Sequence, residues 1–154
     1  MKRVLVVFDT TYGNTEKLAK EIAAGIDENE EVESKVLGIR ELDPVDMSVY
    51  DGVLFGCPIH FFRATRGIKG SVKKLARKGL DGKLVGAFET YQSDRHEGNA
   101  VEQIEDMVRD KAPGAKIFTP GLTSVVIDSK GPLGTNELEH GRTFGELFAR
   151  ELTT

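Results

Sequence analysis

Residues 2–16 read KRVLVVFDTTYGNTE, and this stretch decides the fold. Its residues 4–8 form a continuous apolar run rich in β-branched side chains, which is typical of a strand covered on both faces of a parallel sheet. The run ends at Asp9, and a turn of hydroxyl side chains with one glycine leads into an amphipathic helix. The stretch therefore predicts a central parallel strand that is followed directly by a helix.

The turn after this strand has the composition of a phosphate site. The first turn of a helix presents unpaired backbone N–H groups and the positive end of the helix dipole, so a phosphate needs no lysine there. The turn matches neither the G-x-x-x-x-G-K-[ST] nucleotide loop nor the G-x-G-x-x-G dinucleotide motif. An ordinary helix cap by Asn14 or Thr15 is the alternative. The candidate phosphate-binding residues are Thr10, Thr11, Tyr12, Gly13, Asn14 and Thr15.

The bulk composition is that of one ordinary domain covering residues 1–154. Of the 154 residues, 39% are hydrophobic and 30% are charged, and we expect no signal peptide or membrane anchor. The single cysteine, Cys57, excludes an intrachain disulfide and favours a cytoplasmic location. The net charge of −4 argues against a nucleic-acid partner. The three histidines share no ligand spacing, so we expect no metal site.

Strand and helix patterns alternate along the whole chain. The predicted strands after the first are residues 32–37, 52–56 and 83–89, and a fifth strand split into residues 116–119 and 122–127. The predicted helices are residues 15–26, a helix from Ile68 to Gly79, one from Ala100 to Val108, and a last one capped by Thr135 or Asn136. The stripe of the last helix is Leu138, Phe144, Leu147, Phe148 and Leu152.

This alternation predicts an α/β fold, a three-layer α/β/α sandwich with a five-stranded parallel sheet. Right-handed crossovers and a central first strand give the order 2-1-3-4-5, with a switch point between strands 1 and 3. Ligands of open sheets bind at the switch point, beyond the carboxyl ends of the strands. We therefore expect residues 9–15, 58–67 and 89–98 to form the site.

Two strings carry a resemblance to a known family. The string T-T-Y-G-N-T-E after the first strand resembles the flavin mononucleotide (FMN) phosphate loop of the flavodoxin family, with Tyr12 at a place where threonine is common. The string F-E-T-Y at residues 88–91, followed by G-N-A-V at residues 98–101, is similar to the flavodoxin-like module of flavodiiron proteins. The whole chain looks like a short-chain flavodoxin, and this resemblance implies FMN as the cofactor and electron transfer as the function.

The resemblance implies that the flavin ring lies between the second and third loops. Tyr91 is the first candidate for stacking on one face, and His60, Phe61 or Phe62 would cover the other. The alternative for Phe61 and Phe62 is a place in the core beneath a long loop. The candidate ring-binding residues are Pro58, Ile59, His60, Phe61, Phe62, Thr90, Tyr91 and Gly98.

A basic run departs from the flavodoxin pattern. Residues 63–78 contain several lysines and arginines and no acid, and Arg63 and Arg66 fall in a loop expected to touch the ring. A nearby cation favours the anionic reduced flavin, so we expect a less negative potential for the second electron. The partner is then a redox protein or a small anionic substrate, and the protein is a monomer or weak oligomer. A solvated helix face is the alternative for the helical part of the run.

Three functions remain open from the sequence. An FMN electron carrier between redox partners is preferred. An NAD(P)H-dependent quinone or flavin reductase of the flavodoxin-like superfamily is the enzyme alternative, with Arg63 and Arg66 receiving an anionic substrate. A docking module without flavin is the third.

Overall fold

The first strand lies inside the sheet, as predicted, in a computed structural model that describes residues 1–154. The strands are β1 (Lys2–Phe8), β2 (Val32–Gly38), β3 (Gly52–His60), β4 (Arg63–Ala64), β5 (Leu84–Tyr91), β6 (Lys116–Ile117) and β7 (Leu122–Val125). The helices are α1 (Asn14–Asp27), α2 (Arg66–Gly79), α3 (Asn99–Lys111) and α4 (Glu137–Leu152).

The sheet has the predicted order. Strand β1 pairs in parallel with β2 on one side and β3 on the other, and β3 pairs in parallel with β5. Strand β5 then pairs with β6 along its first residues and with β7 along its last ones, so the fifth position is split in two. Because β4 is a short addition beside β3, the observed arrangement is the predicted 2-1-3-4-5 order with shifted numbers.

Successive side chains of each strand point to opposite faces of the sheet, and each face carries its own hydrophobic core. Val4 and Val6 of β1 pack with α1 and α4, whereas Leu5 and Val7 pack with the cluster that covers α2 and α3. All four side chains are fully buried, which is why β1 reads as an unbroken apolar run. The predicted three layers are confirmed. None of the helices combines the length and the apolar character that a membrane span needs.

The segment after β3 differs from its prediction as a loop. Strand β3 continues to His60, and a two-residue turn connects it to the antiparallel strand β4. Phe61 and Phe62 are the turn residues, and they are 91% and 60% exposed. The alternative that they belong to the core is therefore wrong, because a tight hairpin carries both side chains away from the sheet.

The buried face of the last helix agrees only in part with the predicted stripe, since Phe144 and Phe148 are buried and Leu152 packs against the core. Leu138 and Leu147 are 41% and 45% exposed. The buried residues of α4 are Glu137, Gly141, Phe144, Gly145, Phe148 and Ala149. The reason is close helix packing, since a Cβ on Gly145 would lie 2.0 Å from the carbonyl oxygen of Ile22 in α1. Two glycines and an alanine, rather than leucines, therefore accompany the phenylalanines at this contact.

Candidate functional site

A cavity of about 360 Å³ opens at the carboxyl ends of β1, β3 and β5. Its volume is in the range of small-molecule sites. It is lined by Thr10, Thr11, Tyr12, Asn14, Thr15, Pro58, Ile59, His60, Phe61, Thr90, Gln92, Val126 and Ser129. The structure thus brings together the three predicted loops. Four predicted residues do not line the cavity, namely Gly13, Phe62, Tyr91 and Gly98.

The conformation of the phosphate turn is fixed by Gly13 and by a hydrogen bond within the turn. Gly13 has a φ of 92°, in the left-handed region that favours glycine, and it precedes the first helical residue, Asn14. The N–H of Gly13 donates to Thr10 Oγ1 at 2.9 Å, which closes the turn. No side chain caps α1, so the alternative of a cap by Asn14 or Thr15 is wrong. The helix terminus therefore keeps N–H donors for an anion.

The side chains of Asn14 and Thr15 are used to join the loops. Asn14 Nδ2 donates to the carbonyl oxygen of Lys130 at 3.1 Å. Thr15 Oγ1 lies 2.9 Å from Thr90 Oγ1 at the end of β5, and both threonines are buried. These contacts fix the position of the phosphate turn relative to two other loops. Thr10 Oγ1 only accepts within the turn, so its O–H group can still donate into the cavity, and the Thr11 hydroxyl lies on the same wall.

The hairpin tip supplies the aromatic wall. His60 Nε2 lies 3.0 Å from Thr11 Oγ1, which joins the hairpin to the phosphate turn. The carbonyl oxygen of Phe62 accepts from Asn99 Nδ2 at 3.3 Å, and its ring meets the edge of His96 at 4.2 Å between centroids. The Phe62 backbone is thereby tied to α3 and its ring to His96, while Phe61 lines the cavity.

The third loop presents Thr90 and Gln92 to the cavity instead of Tyr91. Successive side chains of a strand point to opposite faces, so Tyr91, the last residue of β5, points away from the cavity wall to which Thr90 belongs. Burial, followed by the charges of Glu97, Asp94 and Glu137, raises the pKa of Tyr91 to about 12. This placement does not support stacking by Tyr91. Of the predicted ring-covering residues, Phe61 and His60 have aromatic rings on the cavity wall.

Gly98 serves the scaffold of this loop. It has a φ of 88° and precedes α3, and its N–H donates to Glu89 Oε2 at 2.8 Å. Glu89 Oε1 accepts from the N–H of Val101 at 3.0 Å. The Glu89 side chain is fully buried, and this burial raises its pKa. A carboxyl at the end of β5 therefore caps α3 and anchors the loop that contains Gln92.

A fourth segment reaches the cavity that sequence reasoning missed. Val126 and Ser129 follow β7 and complete the wall beside the phosphate turn. The string D-S-K-G-P at residues 128–132 indicates a turn, but it does not indicate which other part of the chain that turn contacts. Only the fold brings this segment, far along the chain, against α1.

Cys57 and the histidines offer no separate chemistry. Cys57 is buried, and burial raises its thiol pKa to about 12, so it remains a protonated packing residue. No group of three or more metal-ligating side chains lies together in the structure. The chemistry of the site therefore rests on the cavity and its neighbours.

A larger basic cavity adjoins the first. It has a volume of about 830 Å³ and shares His60 and Phe61 with the first cavity. Arg63, Arg66 and Lys69 line it, and none of the three forms an ion pair. Farther along α2, Lys74 and Lys78 bind the segment at Asp43, and so they belong to the scaffold. Three unpaired cations thus lie beside the hairpin tip.

The donor set fits FMN. Hydroxyl groups and free helix N–H groups suit a phosphate, the open left-handed turn at Gly13 leaves room beside its Cα, and the exposed hairpin supplies rings for a planar group. Fold and site together define an open parallel α/β protein that binds a phosphorylated cofactor at the switch point.

Comparison with known proteins agrees with this class. The flavodoxin family model matches residues 6–125. A flavodoxin from Clostridium saccharobutylicum is 22% identical over 156 residues, which is 97% of each chain. The structure of an archaeal flavodoxin superposes with a TM-score of 0.84 at 19% identity, covering 99% of both chains. The flavodiiron protein of Giardia intestinalis gives a TM-score of 0.80 at 21% identity over 99% of this chain and 36% of that one.

The chain belongs to the flavodoxin family. It is an FMN-binding electron-transfer protein, as the sequence resemblance implied.

Proposed function

We propose that FMN is bound in the cavity at the switch point and that the protein carries electrons between redox partners there. The phosphate would be held by the turn that includes Thr10, Thr11 and Gly13, and the ring would lie against His60 and Phe61. Bound FMN supplies the redox chemistry, because no side chain of the site is itself redox-active. The single observation that carries this assignment is the cavity that joins a hydroxyl-rich helix N-terminus to an aromatic hairpin.

The side chains of the site would bind the FMN, orient its ring and shield the ring from water. Thr90 and Gln92 contribute polar side chains to the cavity wall. Phe61 would shield one side of a bound ring from water, and since it is 91% exposed, a partner can reach the cavity edge. We place the protein in the cytoplasm, since its one thiol is buried and no disulfide is available.

The partner is proposed to dock on the basic surface, defined here by Phe61, Phe62, Arg63, Arg66 and Lys69. Two exposed aromatic rings next to three unpaired cations complement an acidic protein with an apolar centre. A small anionic substrate at Arg63 and Arg66 is the other candidate, because the adjoining cavity is large enough for one. Binding of a small anionic substrate there would make the protein a reductase that takes electrons from NADH or NADPH.

Anaerobic stopped-flow separates the two. The FMN-loaded protein is mixed with NADH or NADPH, and flavin absorbance is followed. We expect no rapid direct reduction by either nucleotide, but rapid exchange with a one-electron reductant. Fast reduction by a nicotinamide would establish the reductase instead. A purified chain that neither contains flavin nor binds added FMN would remove both redox functions.

A further inference from the structure

We propose that Lys130 places a positive charge at the phosphate end of the cavity and makes the protein select FMN over unphosphorylated riboflavin. This inference rests on the proposed function and adds a specificity-determining residue to it. The phosphate turn contains no lysine or arginine, and neither does the rest of the cavity wall. Tertiary structure therefore supplies a cation that the local sequence lacks.

The segment that contains Lys130 is fixed in place. The N–H of Ile127 donates to the carbonyl oxygen of Pro132 at 2.9 Å, and the N–H of Gly131 donates to that of Asp128 at 2.9 Å. A bridge between Val126 and Leu133 closes the base. The segment 126–133 is thus a closed loop whose position is set by β7 and the start of α4.

Asn14 fastens this loop to the phosphate turn. Its Nδ2 donates to the carbonyl oxygen of Lys130 at 3.1 Å. Gly131 has a φ of 102°, and a Cβ there would lie 2.5 Å from Asn14 Oδ1. The first residue of α1 and the backbone of Lys130 are therefore in direct contact, and Ser129 lies on the cavity wall beside them.

The ammonium group lies within reach of the phosphate turn. Lys130 Nζ is 6.0 Å from the ring centroid of Tyr12, which lines the cavity. Lys130 forms no ion pair, and the acid of its own segment, Asp128, accepts instead from the N–H of Ser129 at 2.7 Å. An unpaired cation beside an anion-binding turn attracts a dianionic phosphate and has no charge to attract on riboflavin.

The test compares the dissociation constants of FMN and riboflavin for the flavin-free protein by fluorescence quenching. We expect Lys130→Ala to weaken FMN binding about three- to tenfold and to leave riboflavin binding within about twofold. Lys130→Arg should keep the selectivity, because it keeps the charge. Lys35→Ala removes the same charge from an exposed position on β2 outside the cavity, and it is the control.

Ionic strength provides a second readout. The difference between the wild-type protein and Lys130→Ala should shrink as salt rises from about 20 mM to about 500 mM, because screening weakens the charge contact. Equal FMN-to-riboflavin ratios in Lys130→Ala and Lys35→Ala would overturn this inference and leave the FMN site intact. Failure of the wild-type protein to bind either flavin would instead overturn the proposed site.

Discussion

At the scale of single residues, Phe61 and Phe62 occupy an unusual backbone conformation. Both have positive φ values, 49° and 69°, in a two-residue hairpin turn that normally favours asparagine and glycine. Each costs roughly 1 kcal/mol or more for a side chain without special stabilisation. The contacts of the Phe62 carbonyl with Asn99 and Gln103 offset part of this cost. Strained aromatic residues at the cavity edge fit a contact surface better than they fit a core.

Glu89 is a buried acid whose ionisation is coupled to folding. Its buried carboxyl has a raised pKa, because burial disfavours the charged form more than the N–H donors of Gly98 and Val101 favour it. A raised acid pKa means that the contribution of Glu89 to stability is fully present below the unfolded value near 4.5. That contribution is lost as the pH rises through the folded pKa.

We expect Glu89→Gln to destabilise the protein by about 1–2 kcal/mol, since an amide offers one acceptor to two N–H donors. The deficit should be largest near pH 4 and should shrink as the pH rises, because glutamine does not titrate. Urea unfolding across this pH range measures it. Glu102→Gln changes an exposed residue of α3 and is the control, and its free energy of unfolding should stay close to that of the wild-type protein. A deficit that grows with pH would mean that the N–H donors outweigh burial.

At the scale of elements, the packing of α4 on α1 depends on glycine. A Cβ on Gly25 would lie 2.0 Å from the carbonyl oxygen of Arg142, and one on Gly145 would lie 2.0 Å from that of Ile22. The side chain of Arg142 pairs with Glu21 and Glu28 across the same contact. Backbone contact and ion pairs together set the distance between the two helices, and the phosphate turn begins one of them.

Gly145→Ala should destabilise the fold by about 2–3 kcal/mol, because the two helices must move apart to admit the methyl group. Gly70→Ala is a matched control in α2, where a Cβ would meet nothing within 4 Å. That change should stabilise the protein by about 0.5–1 kcal/mol through helix propensity. Urea denaturation of both variants measures the two effects, and a neutral Gly145→Ala would contradict the close packing.

At the scale of the whole molecule, charge is divided between regions. Acids dominate residues 27–51, whereas Arg63, Arg66 and Lys69 remain unpaired at the hairpin. The net charge of −4 therefore hides a local positive potential next to the cofactor cavity. Such a potential acts on the reduced cofactor and on any charged partner that approaches this edge.

Reversing both charges, Arg63→Glu with Arg66→Glu, should make the potential of the second electron more negative, on the order of tens of millivolts. Anaerobic redox titration measures it. The same variant should react more slowly with an anionic oxidant such as ferricyanide and about as before with a neutral quinone. Lys35→Glu on β2 is a single-charge control. An unmoved potential would show that these cations lie too far from the ring to affect it.

Much of the fold was predictable because its signals are local. The apolar run of β1, the glycine-containing turn and the alternation of strands and helices follow from side-chain periodicity, and they give the sheet order through general rules of handedness. The misreadings have physical reasons. Nothing in the pair Phe61 and Phe62 indicates a tight turn. Leu138 and Leu147 were placed in the stripe of α4 beside the phenylalanines, because backbone-to-backbone packing at glycine leaves no hydrophobic periodicity.

The sequence by itself determined the class of fold, the family resemblance and the phosphate turn, since each depends on residues close together in the chain. Only the tertiary structure decided which side chains line the cavity. It placed Gln92 there instead of Tyr91, tied the Phe62 backbone to α3, and brought Lys130 against Asn14 and Ser129 to the cavity wall. Contacts between segments more than a hundred residues apart depend on how the helices and strands pack, and no local pattern records them.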